Sequence, residues 1–348
     1  MTLTRHSAIP PSLALATLLV STALMSPAYA ETVEGVFALP GAEEAVSGEM
    51  TVTETGPLSR GLELVFADKG TSERIDRFDV ELTQELHILA VDDALTTLVH
   101  RHVEHAAEDG TFASELSFPH PGLYHIFTDA VPSGKGQQVL RFDVEVGEAQ
   151  PALSGEQRAE ALKTGEDHSR QSSSNAYTVT LDSSGLTAGE EGIISLSVEK
   201  DGKPATDIEP YLGVAAHAVF VRAEDLAYVH AHAMANGAQT MAHGDDHGGT
   251  AGHETHDKAM SEDHQGMEGM STDMPASEDD VNSADASHDM SGMDHATGSG
   301  EAGAVSPEMS VHVTPPAEGV YALWIEFIGG GEVQTVPFTV DVSGGHHH

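Results

Sequence analysis

The sequence predicts an all-β protein built from two tandem antiparallel β-sandwich domains, the second of which carries a long insertion. Short segments of alternating apolar and polar residues recur along the chain between turn residues, which is typical of β-strands. No long amphipathic helical pattern interrupts them. Much of the strand pattern also occurs twice, which indicates a duplicated domain.

The duplication is clearest around six histidines. Residues 86–102 (LHILAVDDALTTLVHRH) match residues 216–232 (AHAVFVRAEDLAYVHAH), and each of three histidines is displaced by 130 positions. Further along, residues 122–129 (GLYHIFTD) match residues 319–326 (GVYALWIE) with a displacement of 197 positions. Because 197 exceeds 130 by 67, the second copy carries 67 additional residues between its histidines and its tyrosine strand.

The predicted elements follow in chain order. In the first copy, strands are expected at 62–66, 85–91, 97–102, 122–128 and 139–146. In the second copy, they are expected at 176–181, 192–198, 216–221, 227–232, 308–313, 320–327 and 333–342. One helical turn is expected near 157–163. Each copy thus offers about 100 residues of antiparallel β-structure, which favours a sandwich of immunoglobulin-like or cupredoxin-like type.

These elements divide the chain into five expected parts. They are a signal peptide (1–30), a first β-sandwich domain (31–147), a linker (148–175), a second β-sandwich domain (176–343) with an insertion at 235–306, and a histidine tail (344–348). The tail is interpreted either as a metal ligand or as the remnant of an expression tag.

The first 30 residues have the pattern of an export signal. Arg5 supplies a positive charge, residues 12–25 form an apolar core, and Ala28-Tyr29-Ala30 has the small-x-small form of a cleavage site. The apolar core is too short to span a bilayer, and no later apolar run is longer. We therefore expect cleavage after Ala30 and a periplasmic or secreted protein without a membrane span.

Charge and composition exclude several classes of function. The chain has 15 Lys and Arg against 56 Asp and Glu, and its net charge of −41 excludes binding to nucleic acid through phosphate neutralisation. The absence of cysteine excludes disulfides, zinc-thiolate sites, iron–sulfur clusters and a blue-copper centre. No HExxH, GxSxG or other nucleophile–base motif is present, so we do not expect an enzyme.

Each copy places three histidines in an H-x12-H-x-H pattern that indicates a metal site. These are His87, His100 and His102 in the first copy, and His217, His230 and His232 in the second. Hairpins centred near 94–95 and 224–225 would bring the first histidine opposite one of the other two, which share a strand face. Three neutral imidazoles suit Cu(II) or Zn(II), with Asp129 or Glu326 as candidate fourth ligands. The alternative is that these are half-buried strand histidines retained from a common ancestor.

Other residues near the triads have structural interpretations. Tyr124 and Tyr321 each follow a glycine by two positions, which resembles the tyrosine corner of β-sandwiches. Trp324, the single tryptophan of the chain, is interpreted as a core residue. Three histidines without counterparts in the second copy are interpreted as surface residues or minor ligands: His105, His120 and His125.

The insertion has a composition that predicts disorder and soft-metal binding. Residues 235–306 contain no Phe, Trp, Tyr, Leu or Ile, so they cannot bury enough apolar surface to form a core. Thioethers select Cu(I) or Ag(I), and imidazoles extend the range to Cu(II). The candidate ligands in this segment are His243, His247, His253, His256, His264, Met267, Met270, Met274, His288, Met290, Met293 and His295, with Met241 and Met260 in the same segment.

Two segments of the insertion carry a resemblance to a known group of proteins. HQGMEGM (264–270) and HDMSGMDH (288–295) resemble the Met/His-rich inserts of bacterial periplasmic copper-resistance proteins. The tandem domain with H-x12-H-x-H is also similar to a β-sandwich module of exported bacterial proteins often linked to metal handling. The resemblance implies copper or silver binding at the matching His and Met positions. Lack of cysteine departs from the multicopper oxidases among these proteins, since a type 1 copper centre needs that residue.

These observations favour a periplasmic protein that buffers, stores or ferries copper, and by the same chemistry silver, in metal tolerance. The expected partners are metal ions and a copper exporter or oxidase in the same compartment. Two alternatives are a zinc- or nickel-scavenging protein, whose histidine-rich loop would need no methionine, and a metal-independent immunoglobulin-like adhesion or assembly module.

Overall fold

Strands account for almost all of the regular structure, which confirms the predicted fold class. The structure is a computed structural model, and it describes residues 30–148, 150–164, 169–235 and 305–345. Most of the predicted signal peptide, residues 236–304 of the insertion and His346–His348 lie outside the described residues. We call residues 30–148 the first half and residues 169–235 with 305–345 the second half.

The first half forms two antiparallel sheets. Its strands are β1 (Ala30–Glu34), β2 (Val36–Phe37), β3 (Val46–Gly56), β4 (Ser59–Asp68), β5 (Phe78–Asp79), β6 (Leu86–Asp92), β7 (Leu98–Val103), β8 (Phe112–Ser117), β9 (Gly122–Pro132) and β10 (Gln138–Val146). One sheet has the order β1-β3-β4-β8, and the other has the order β2-β10-β9-β6-β7 with β5 paired to β9. Alternate apolar residues of both sheets, such as Leu64, Ile126 and Phe142, form one core between them.

The second half is a single antiparallel sheet that folds over on itself. Helix α1 (Gly155–Thr164) precedes it, followed by β11 (Gln171–Ser174), β12 (Tyr177–Asp182), β13 (Gly192–Lys200), β14 (Lys203–Pro204), β15 (Ile208–Glu209), β16 (Ala216–Arg222), β17 (Tyr228–Ala235), β18 (Glu308–Val313), β19 (Gly319–Gly329) and β20 (Glu332–Val342). The main order is β11-β12-β13-β18-β17-β16-β19-β15, with β14 on β13 and β20 on β19. Val179 near one end shares a core with Phe338 near the other, so the sheet encloses its own interior.

Some elements differ from the sequence-based expectation. Strand β3 was not predicted, although its buried residues Val46, Met50 and Val52 alternate with polar outward residues. Helix α1 is ten residues long instead of one turn. Ser154 and Gln157 form a reciprocal capping box, with Gln157 N–H donating to Ser154 Oγ at 3.2 Å, which stabilises the first turn.

The two tyrosine corners are present as predicted. Tyr124 donates its hydroxyl to the carbonyl of His120 at 3.0 Å, and Tyr321 donates to the carbonyl of Ala317 at 2.7 Å. Each bond ties the start of a long strand to the loop before it. The described part of the chain has no helix with the length and apolar character needed to cross a membrane.

The two halves pack against each other through a third apolar cluster. Leu89 and Phe127 of the first half meet Val219 and Trp324 of the second half there. Trp324 is therefore a core residue, as predicted, but of the core between the halves. Because β6 has one face in its own sandwich and the other in this interface, all seven of its residues are buried. We call the sheet faces that meet here the interface faces.

Helix α1 connects both halves at one end of this interface. The Arg158 guanidinium lies 2.8 Å from a carboxylate oxygen of Asp93 in the first half and donates from Nε to the carbonyl of Ala223 in the second half at 2.9 Å. Asp93 also accepts the N–H of Leu153 and contacts His125. The segment between the halves is therefore held by buried polar contacts to both.

Candidate metal centre

Two equivalent hairpins carry the six predicted histidines. In the hairpin of β6 and β7, His87 lies opposite His102, and Leu89 lies opposite His100. In the hairpin of β16 and β17, His217 lies opposite His232 in the same register. Both hairpins are centred where the sequence predicted. Of the two registers that the sequence left open, the structure has the one in which the first histidine of each pattern pairs with the last.

Strand alternation places each set of three histidines on an interface face. We call His87, His100 and His102 the first triad, and His217, His230 and His232 the second triad. In each triad, one ring nitrogen from every histidine lies within 4.8 Å of the others. The burial of these side chains is high: His87 is 2% exposed and His217 is fully buried. Each triad therefore has the spacing and composition of a three-nitrogen metal site.

Backbone carbonyls orient the first histidine of each triad. His87 Nε2 lies 3.4 Å from the carbonyl oxygen of Glu81, and His217 Nε2 lies 3.3 Å from that of Tyr211. A carbonyl can only accept, so Nε2 carries the proton and Nδ1 keeps its lone pair. Metal-binding histidines are commonly oriented by such a bond from the second ring nitrogen.

Carboxylates from the opposite half orient the second histidine of each triad. His100 Nδ1 lies 2.5 Å from Glu326 Oε2, and His230 Nδ1 lies 3.5 Å from Asp129 Oδ2. Each carboxylate has further donors, with Thr335 bonding to Glu326 and both Gln137 and Tyr228 bonding to Asp129. Asp129 and Glu326 were expected as possible fourth ligands. They lie on the outer side of the rings and do not belong to the two groups of converging ligand atoms.

The first triad leaves three buried ring nitrogens unsatisfied. Among the described residues, His87 Nδ1, His100 Nε2 and His102 Nε2 have no hydrogen-bond partner. An unsatisfied buried polar atom costs about 1–3 kcal/mol, so native proteins rarely keep one without a reason. A metal ion would satisfy all three together, since one nitrogen comes from each member of the triad.

The second triad brings two ring nitrogens into contact. His217 Nδ1 and His230 Nε2 are 3.0 Å apart. With Nε2 of His217 protonated toward Tyr211, Nδ1 of His217 keeps its lone pair and can accept a hydrogen bond from Nε2 of His230. Two imidazoles on one tetrahedral ion would lie about 3.3 Å apart, given metal–nitrogen bonds of about 2.0–2.1 Å. A bound cation would replace this single hydrogen bond with two metal–nitrogen bonds.

The environment keeps four of the six imidazoles neutral. Burial lowers the pKa of His87 to about 4 and, together with the neighbouring imidazoles, that of His102 to about 3. Burial and the surrounding histidines also hold the pKa of His217 and of His230 well below the usual range. Neutral imidazole is the form that binds metal, so these rings need not release a proton when an ion enters at pH 7.

A groove between the halves leads to the first triad. It has a volume of about 620 Å³ and reaches His100 and Glu326. Its walls include Phe118 from the first half and Tyr211 and Val333 from the second. The groove provides a route by which a small solute can reach the edge of the histidine cluster.

The histidines without counterparts have other roles. His105 is exposed beside Glu85, and His120 contacts Tyr124 at the tyrosine corner. The surface interpretation is wrong for His125, which is 3% exposed. It lies on the interface face of β9, with its ring nitrogens 3.0 Å from Asp93 and 2.7 Å from Asp143.

The candidate ligands of the insertion, from Met241 to His295, all lie outside the described residues. Sequence reasoning also missed the meeting of the two triads across the interface. The available signal was the run of apolar residues in LHILAVD and AHAVFVR, since strands that are apolar on both faces are buried on both.

The comparison with known proteins gives one match. Residues 171–259 and 284–344 match a family described as "Domain of unknown function (DUF8832)", which covers less than half of the chain. The matched ranges include the second triad. No curated protein and no solved structure matches the chain.

Proposed function

We propose that this chain is an exported copper-binding protein that buffers, stores or ferries copper in metal tolerance. The observation that carries the proposal is the double hydrogen-bond pattern behind the triads. Three of the six rings have their outer nitrogen hydrogen-bonded to a carbonyl or carboxylate, and the outer nitrogen of His230 faces a carboxylate at 3.5 Å, which directs the remaining nitrogens toward a shared position. Histidines kept only as buried strand residues would not require this arrangement in both copies.

The choice of copper rests on the two kinds of donor in the chain. The triads offer nitrogen alone, which suits Cu(II) and, in a three-coordinate site, Cu(I). The insertion adds methionine thioethers beside histidines, and thioethers favour Cu(I) or Ag(I) over harder ions. The net charge of −41 raises the local concentration of any cation. We propose binding in place of catalysis because no nucleophile–base motif accompanies the triads in the sequence.

The decisive measurement is the metal content of the mature protein after exposure to equal concentrations of copper and zinc. Under reducing conditions we expect several Cu(I) per chain, and under oxidising conditions we expect Cu(II) in the triads. Replacement of His100 and His230 by Ala should remove the triad copper, and replacement of the insertion's methionines by Ser should lower the number of Cu(I) ions bound per chain. His312→Ala is the control, since this exposed histidine pairs with Glu191 and belongs to neither triad.

Zinc is the second candidate because of one feature of the triads. Three imidazoles with an open fourth position form a donor set that zinc also accepts. If the protein exposed to both metals retained zinc alone, the assignment would move to zinc acquisition. If it retained neither metal and its melting temperature did not respond to either, the proposal would be wrong, since a ligand of the native state must stabilise it.

A further inference from the structure

The two triads belong to different halves, yet their rings form one group. The ring centroids of His87 and His230 are 5.4 Å apart, and those of His100 and His217 are 5.8 Å apart. Within the first triad, the centroids of His87 and His100 are also 5.8 Å apart. The shortest distances between the triads therefore fall within or just above the range of 4.3–5.8 Å found inside the triads, so the two triads form one cluster of rings.

We propose that the two triads form one binuclear metal centre, in which two ions lie close enough to share a bridging water or hydroxide. Protein sites that hold two metals commonly separate them by about 3.5–4 Å. The inference rests on the proposed function, because it concerns the same histidines, but it makes a separate claim about the relation of the two ions.

The crossed contacts between histidines and carboxylates of the two halves support this arrangement. His100 of the first half reaches Glu326 of the second half, and His230 of the second half approaches Asp129 of the first. Both second histidines are therefore turned toward the boundary between the halves. Ions held by the two triads would lie at this boundary, on opposite sides of a short gap.

The buried charges also fit two ions. Asp129 and Glu326 are each 2% exposed, and one stands behind each triad. Two divalent cations in a buried space need compensating negative charge, which these two carboxylates supply in part. A bridging hydroxide would supply more. An ion in the second triad alone would leave the first triad with three buried, unsatisfied ring nitrogens.

Electron paramagnetic resonance with Cu(II) tests the proposal. The suitable protein is the full chain with the His and Met residues of 241–295 and His346–His348 replaced by Ser, which limits copper to the folded halves. We expect two Cu(II) per chain. The first equivalent of Cu(II) should give the signal of an isolated ion. After the second equivalent, the integrated signal should stay well below two spins per chain, because the two ions couple across the bridge.

Single-triad variants complete the test. His102→Ala and His232→Ala should each bind one Cu(II) with the full intensity of one isolated spin, while His312→Ala should keep two coupled ions. The titration of the protein with intact triads carries the main readout, so a variant that fails to fold does not remove the test.

Three outcomes would overturn the inference. Two Cu(II) with the full intensity of two isolated spins would mean separate sites and would leave the proposed function intact. One Cu(II) per chain, lost in both single-triad variants, would mean a single shared ion and would likewise leave copper binding intact. No copper that depends on either triad would remove the proposed function together with the binuclear centre.

Discussion

The two triads share one sequence pattern and one hairpin register, but they are not equivalent. In the first triad, Glu326 approaches His100 to 2.5 Å. In the second, Asp129 stays 3.5 Å from His230, which instead contacts His217 at 3.0 Å. The side chain of Asp129 is one methylene shorter than that of Glu326. It also accepts hydrogen bonds from Gln137 and Tyr228. The difference shows that the sequence spacing of the histidines is not enough to define a triad. The carboxylate that faces the second histidine comes from the opposite half of the molecule.

The largest expected effect concerns the packing that brings the triads together. Trp324 and Phe127 occupy matching positions on the interface faces, and both are buried. Trp324→Ala and Phe127→Ala should each lower the free energy of unfolding by about 3–5 kcal/mol, because each leaves a cavity. Denaturant unfolding of the metal-free protein would measure this.

The exposed Ile193, replaced by Ala, is the control for these two variants and should change stability by about 0.5 kcal/mol or less. If all three substitutions changed the free energy of unfolding by the same small amount, the apolar cluster between the halves would not contribute to the stability of the protein.

An effect that is smaller for a single residue is expected from pH, and it should differ between the triads. The pKa of His87 is lowered to about 4, and that of His217 is lowered further. The unfolded chain then binds more protons than the folded chain below about pH 6.5, so stability is lost as the pH falls from about 6.5 to 4. His87 alone accounts for on the order of 3 kcal/mol of this loss. Burial raises the pKa of Asp129, which partly opposes the trend.

The comparison between the triads is sharpened by removing one histidine at a time from the metal-free protein. His217→Gln and His87→Gln should reduce the slope of stability against pH about equally near pH 5, and His217→Gln should reduce it more as the pH approaches 4, where His87 also takes up a proton in the folded state. A stability that stays constant between pH 7 and 4.5 would contradict the burial of neutral imidazoles in both triads.

The smallest effect concerns whether a carboxylate of one half strengthens metal binding by the triad of the other half. In a protein limited to the first triad by His232→Ala, Glu326→Gln should weaken metal binding by about 10- to 100-fold, because a ring whose acceptor loses its negative charge is less well oriented and less basic. Asp129→Asn in the same background should have a smaller effect. Competition with a chelator of known affinity would measure both, and a larger effect of Asp129→Asn would refute the crossed arrangement.

The sequence predicted the hairpins and the triads because both follow from local periodicity. Alternation in 86–102 sets which side chains share a face, and the turn sets which residues face each other. The meeting of the triads depends on how two sheets pack, and no local pattern specifies that partner. His125 shows the same limit, since its burial comes from a surface that exists only once the halves have packed.

Strand order gives the two triads different kinetic properties. Strand β7, which carries His100 and His102, ends its sheet among the described strands, whereas β17, which carries His230 and His232, lies between β16 and β18. An edge strand opens at a lower free energy than one held on both sides, so its amides should exchange with deuterium sooner. The groove also runs along β7. An incoming ion would therefore reach the first triad by a faster route, even where the two final affinities are equal.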